Sequence, residues 1–164
     1  MMGKSPITSP LGEAERQTTG ALLQSTLADL IDLSLIGKQA HWNVVGPHFR
    51  SVHLHLDELV TMARQYVDDV AERANAIGVS PNGMARTVME TSGLPAFPSN
   101  WVSDVDTINA IVNTLGTLSE RLRRRIDEAD KPDLVTQDLL IEIAREVEKQ
   151  HWMWQAHVGR STVD

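Results

Sequence analysis

Four side chains in one stretch of the sequence are of the types that hold transition metals: His53, Asp57, Asp68 and Glu72. Imidazole nitrogen and carboxylate oxygen suit iron, manganese or zinc, and the chain has no cysteine to offer a thiolate instead. The four form symmetric pairs. His53 and Glu72 are centred on the same point as Asp57 and Asp68, between Met62 and Ala63. On a helix turning 100° per residue all four fall within an arc of roughly 100°, yet the rise of 1.5 Å per residue separates the first from the last by about 28 Å. One metal cannot reach all four within a single chain. Two copies of the helix, antiparallel about a two-fold axis near Met62 and Ala63, would bring His53 and Asp57 of one against Glu72 and Asp68 of the other and so make two identical sites.

The element that positions them must be one long helix. Val52, Leu56, Leu59, Val60, Ala63, Tyr66, Val67, Val70, Ala74 and Ile77 recur at helical spacing through the same segment and form an apolar stripe suited to the subunit's own core. The ligand stripe is centred roughly 130° from it on the same wheel. It therefore lies on a flank that a neighbouring subunit can reach. A solvated face is the ordinary explanation for a row of acids on a helix; histidine and pairwise symmetry are what that explanation leaves out.

Around this helix, about Phe49 to Ile77, three further long helices are predicted. Residues 1–12, with Ser5, Pro6, Ser9, Pro10 and Gly12, read as a flexible tail. Leu22, Leu23, Leu27, Leu30, Leu33 and Leu35 run without a proline in a first helix, about Glu13 to Val44, ended near Gly46 and Pro47. Gly78 and the run Ser80-Pro81-Asn82-Gly83 stop the second. A third, about Asp104 to Asp130, carries Val105, Ile108, Val112, Leu115, Leu118, Leu122 and Ile126, and a fourth, about Asp133 to Val158, follows Pro132. Antiparallel neighbours need only short loops, so the connection of about 20 residues between helices 2 and 3 predicts a crossover between parallel helices. It has room for a short helix of its own around Met84 to Glu90. No strand alternation is present. The expected fold is all-α, a ferritin-like up-down-down-up four-helix bundle over residues 13–158, followed by a short C-terminal tail, 159–164.

With 164 residues, 41% hydrophobic and 23% charged, the chain suits one folded domain with a substantial core. No uninterrupted apolar run approaches the roughly 20 residues of a membrane helix, and the start lacks a charged-then-apolar signal pattern. A cytoplasmic protein with no membrane partner is expected. Zero cysteines exclude disulfides together with thiolate sites. The net charge of −7 is multiplied in any oligomer, which repels nucleic acid and attracts cations unless charge is segregated between surfaces.

His41 adds a ligand from the first helix. The segment Lys38-Gln39-Ala40-His41-Trp42-Asn43-Val44-Val45-Gly46-Pro47-His48-Phe49 precedes His53, and the spacings between His41, His53, Asp57, Asp68 and Glu72 are 12, 4, 11 and 4. These spacings and the HWNV-x-G-x-x-F run closely resemble the Dps family of mini-ferritins, over about residues 18 to 158. The resemblance implies a hollow homododecamer built from two-fold dimers, in which ferrous iron is oxidised by hydrogen peroxide or dioxygen at sites straddling the dimer axis and stored as Fe(III). It implies iron as the metal, two ions per site, and no organic cofactor. It assigns His41, His53 and Asp57 to one subunit's half-site and Asp68 and Glu72 to the other's.

The residue types fit that chemistry. Carboxylates favour Fe(III) over Fe(II) and histidines hold the borderline Fe(II) on arrival, while a sparse ligand set leaves positions open for the oxidant. Glu72 is suited to bridging two irons. Trp42, beside His41, is a candidate electron donor to a one-electron oxidant, or else an amphipathic ring packed at an interface. Lys38, one turn before His41, is expected to form a salt bridge near the site.

Other features have plainer readings. Glu148 and His151 form one E-x-x-H, whereas an internal di-iron centre needs two such motifs and two further glutamates. Glu148 and His151 therefore read as surface or helix-end residues. His48 and His55 lie off the ligand stripe and read as polar surface or interface groups. Trp152, Trp154 and His157 are expected in oligomer packing. Asp127, Asp130, Asp133 and Asp138 concentrate acid at the turn between helices 3 and 4. Tripled about a three-fold axis they would focus cations into a pore, and Asp138 is the position best matched to the family's. Their alternative role is solubility and helix capping.

A rival function is non-specific DNA binding by a nucleoid-protecting protein in which iron oxidation is secondary. The tails offer little for it: Lys4 at one end, Arg160 against Asp164 at the other. Arg121, Arg123, Arg124 and Arg125 are helical and expected to wrap around the axis, pairing with Glu120, Asp127 or Glu128. A third alternative is a structural cage whose site holds zinc or nothing.

Overall fold

The computed structural model describes residues 5–159. The order is α1 (Glu13–Asn43), β1 (Val44–Val45), α2 (Phe49–Ala76), α3 (Ala85–Thr91), β2 (Val102–Ser103), α4 (Asp104–Ala129) and α5 (Leu134–His157). The four long helices lie close to the expected bounds, and the crossover carries the short helix α3. Periodicity left one feature invisible: β1 and β2 pair in parallel, Val44 against Val102 and Val45 against Ser103. Two residues are too few to alternate. The bridge brings the end of α1 and the start of α4 to one end of the bundle, so α2 and α4 run the same way and the order is up-down-down-up.

Each terminus has a local cause. Gly78, at φ +77°, closes α2 with the backbone bonds Gly78 N to Asn75 O and Val79 N to Ala74 O, both 2.9 Å. This is the Schellman arrangement, which a glycine adopts without strain. Ser103 caps α4 by accepting from Asp106 N at 3.1 Å and donating to the Asp106 carboxylate at 2.7 Å. Side chains of all four long helices fill the core, among them Leu30, Leu56, Leu115 and Leu140, none of them exposed. α1 is apolar enough by length and composition to cross a membrane, which the sequence reading did not anticipate, but 67% of its most apolar window is buried in the bundle. That is the pattern of a core helix. Residues 5–12, expected to be a flexible tail, fold back instead: Leu11 packs against the core and Ile7 O lies beside Gly78.

The α4–α5 turn corrects one expectation. Asp133 is buried, accepts from Val135 N and Thr136 N as the cap of α5, and binds Arg73 of α2 at 2.6 Å. A carboxylate committed to these donors is a structural clamp rather than a pore lining. Burial pushes its pKa up, but the Thr136 hydroxyl and the Arg73 guanidinium outweigh burial and hold it below the usual value of 3.8. A depressed folded-state pKa contributes stability that is present above the unfolded value and is lost as pH falls through the folded one. Asp133→Asn should therefore lower the melting temperature at pH 7 and flatten its decline below about pH 4. Thermal melts of both proteins from pH 7 to pH 3, at one protein concentration, test this; parallel curves would contradict it.

Candidate metal centre

His41 near the end of α1 and His53 near the start of α2 are brought together by the turn at 44–48. Gly46 sits at φ +138°, and a Cβ there would lie 2.6 Å from the carboxyl of Asp104. That carboxyl, 3% exposed, accepts from His48 N at 2.6 Å and so ties the turn to the first residue of α4. The glycine is required twice, for its backbone angle and for the room it leaves Asp104.

The two imidazoles stack with centroids 3.6 Å apart and planes 21° from parallel. Their hydrogen bonds are reciprocal: His41 Nδ1 donates to the His53 carbonyl and His53 Nδ1 to the His41 carbonyl, each at 2.9 Å. A carbonyl can only accept, so both rings carry a proton on Nδ1, and the lone pair of each neutral imidazole is then on Nε2. Fixing the metal-binding nitrogen through the other ring nitrogen is the usual preparation of a histidine ligand. Phe49 lies against the second ring, centroids 4.9 Å apart.

Asp57, one turn beyond His53, has its carboxylate 3.4 Å from His41 Nδ1 and bonded to Lys38 Nζ at 2.5 Å. The Lys38 ammonium is the main reason its pKa is held below the usual carboxylate value. The expected Lys38 salt bridge is thus found, with Asp57 as its partner. Trp42, next to His41 in sequence, is 70% exposed.

Asp68 and Glu72 lie on the same unbroken helix, both partly or fully exposed, about 22 and 28 Å from His53 along its axis at 1.5 Å per residue. The chain brings His41, His53 and Asp57 together and leaves Asp68 and Glu72 apart from them. Among the described residues no group of three or more His, Asp or Glu side chains is placed to hold a metal within one chain.

The remaining candidates divide. Asp127, Asp130 and Asp138 are exposed, with Asp130 accepting from Gln137 Nε2 at 3.3 Å. Glu148 is committed to Arg123 at 2.6 Å and to Ser119 at 3.1 Å, in keeping with the plain reading of its E-x-x-H. Lys4 and Arg160 lie outside the described residues. Two expectations are overturned. His55 is buried, stacked on Trp154 at 4.3 Å, and bonded to Gln150 and to His157 at 3.2 Å each, so His55 and Trp154 belong to the bundle interior. The arginine run pairs across helices rather than along its own: Arg121 and Arg125 bind the wholly buried Asp29 of α1 at 2.8 and 2.6 Å, and Arg123 binds Glu148. Asp29 and Asp104, both structurally central, escaped sequence reasoning. An acid within an apolar helix stretch was the available signal for Asp29.

The chain is similar to known proteins over most of its length. Residues 20–162 match the model of the ferritin-like domain. A "DNA protection during starvation protein" of Agrobacterium fabrum is 34% identical over 144 residues, 87% of this chain and 89% of that protein. Among solved structures, Mycobacterium smegmatis Dps superposes with a TM-score of 0.91 at 33% identity, covering 97% of this chain and 96% of that one. The Dps of Microbacterium arborescens in its high iron form gives 0.86 at 33%, covering 92% and 98%. Sequence, fold and relatives converge: the chain belongs to the Dps family of ferritin-like proteins.

Proposed function

We propose that this protein is an iron-detoxifying, iron-storing ferroxidase whose reaction sites lie between two copies of the chain. The observation that carries the proposal is the pair of stacked imidazoles whose Nδ1 atoms are tied to backbone, near Asp57, on a helix where Glu72 and Asp68 mirror His53 and Asp57 in sequence about a point between Met62 and Ala63. Ferrous iron is the substrate. His41 and His53 supply nitrogen donors, Asp57 a carboxylate, and Asp68 and Glu72 of a second copy complete the set. Hard oxygen donors stabilise the ferric product. Hydrogen peroxide takes one electron from each of two ferrous ions and leaves as hydroxide; dioxygen is the other candidate oxidant. Trp42, exposed and next to His41 in sequence, is the candidate donor to a one-electron oxidant.

The α1–α2 register supports the pairing. His41 lies by His53, Lys38 by Asp57 and Gly37 by Val60. Continued, this puts Leu35 abreast of Met62, at the level of the two-fold. Leu35 is 55% exposed and with Trp42 and Phe97 lines an apolar groove of about 370 Å³. A second copy is the natural cover for it. Twelve copies would enclose the cavity for ferric iron, with Asp138, Asp127 and Asp130 lining a cation route and Asp133 in its clamp outside that role. A cytoplasmic location fits this reading.

Crystals grown with ferrous iron and measured at the iron absorption edge test the proposal. Anomalous density between His53 of one chain and Glu72 of another is expected; iron bound within a single chain would overturn it. Nucleoid protection remains the second reading, favoured by the name of the Agrobacterium relative. A gel shift titrated with salt separates the two, because phosphate contacts weaken steeply as salt rises.

A further inference from the structure

α1 and α4 border a groove of about 310 Å³ lined by Leu22, Ser25, Arg121, Arg124, Arg125 and Glu128. The four α4 residues are spaced i, i+3, i+4 and i+7, so they share one helix face. Charge beneath the groove is unbalanced. Asp29 is the single buried carboxylate for two guanidiniums, and both of its oxygens are occupied: Oδ1 by Gly93 N at 3.0 Å and Arg121 Nη2 at 3.3 Å, Oδ2 by Arg121 Nε at 2.8 Å and Arg125 Nη2 at 2.6 Å. Arg125 is 6% exposed, yet its Nη1 has no hydrogen-bond partner. A buried donor without an acceptor is costly, more so on a charged group. Arg124 adds a third guanidinium at the surface, and Glu128 a second carboxylate, both lining the groove. Three cations thus face two anions in a chain whose net charge is −7.

We propose that this groove binds an oxyanion of the phosphate class, held by Arg124 and by the unpartnered face of Arg125, with Arg121 and Asp29 fixing the Arg125 side chain. Guanidinium forks match tetrahedral oxyanions in geometry and charge. Arg125 Nη1 is buried, so anion binding requires side chains at the groove's rim to move aside. The same chemistry is offered by free phosphate and by a nucleic-acid phosphodiester. Free phosphate is favoured, because Glu128 borders the groove and the acidic surface repels an extended polyanion.

Calorimetric titration of the assembled protein with inorganic phosphate, at constant low ionic strength, tests the site. Saturable binding is expected, weakened about tenfold by Arg124→Gln and strengthened by Glu128→Gln, since each changes one charge at the groove. Both residues are exposed and neither contacts Asp29, so the fold is retained. A parallel titration with a short DNA duplex distinguishes the source. Absence of phosphate binding, or binding indifferent to both substitutions, would overturn the proposal. Duplex binding that falls in Arg124→Gln while phosphate fails to bind would also overturn it and assign the groove to phosphodiester instead.

Discussion

Glu72→Ala should slow rapid Fe(II) oxidation by on the order of 100-fold or more, while assembly and melting temperature stay close to those of the parent protein. Glu72 is exposed on α2, so its truncation opens no cavity and strands no buried partner. His53→Ala should be equally damaging to the rate, but it also removes the ring stacked on His41 and the bond to the His41 carbonyl. The glutamate variant is therefore the cleaner test of a ligand role. Stopped-flow absorbance of ferric product, with excess peroxide, measures the rate. A Glu72→Ala protein that oxidises iron at the parental rate would remove half of the proposed ligand set.

The second large effect is on stability. Asp29→Ala leaves two guanidiniums without their carboxylate in the interior, and breaking a buried ion pair this way costs about 3–5 kcal/mol. Against a typical total of roughly 5–15 kcal/mol, that is a large share. The loss also frees Gly93 N and so loosens the crossover, which Asp29 pins to α1 and α4 together. Thermal melts at fixed protein concentration should show a fall of many degrees, because oligomer stability depends on concentration. Hydrogen exchange should quicken near Gly93 before it does in the helices. A shift no larger than that of a surface substitution such as Asp138→Asn would show that this buried cluster does not anchor the crossover.

How far the sequence could be read depended on the kind of force at each position. α2 was legible because one apolar stripe and one ligand stripe occupy different faces of an unbroken helix, and helical periodicity reports both. The crossover was legible from loop length alone. Leu35 and Val105 mark their helices by spacing, but spacing does not show whether an apolar residue enters the chain's own core; both are more than half exposed in the single chain. Pairings between distant residues were the blind spot. Asp29 with Arg121 and Arg125, Arg73 with Asp133, and His55 with Gln150 and His157 join positions 60 to 102 residues apart. Local rules assigned Arg121 and Arg125 to neighbours on their own helix. At the candidate metal centre the residue types and spacings are visible in the sequence, whereas the reciprocal bonds that fix Nδ1 of both histidines run through backbone carbonyls, which no residue type announces.

Shared ownership of the iron site is tested most directly by mixing. His53→Ala and Glu72→Ala chains are co-expressed, the mixed assemblies are purified, and mass spectrometry verifies that both chains are present. Each parent alone has a defect in every site. In a mixed two-fold dimer one site carries both defects and the other carries none, so random pairing should restore about a quarter of the wild-type oxidation rate. If all ligands of a site came from one chain, every site would contain a defect, and mixed assemblies as inactive as their parents would contradict the intersubunit centre.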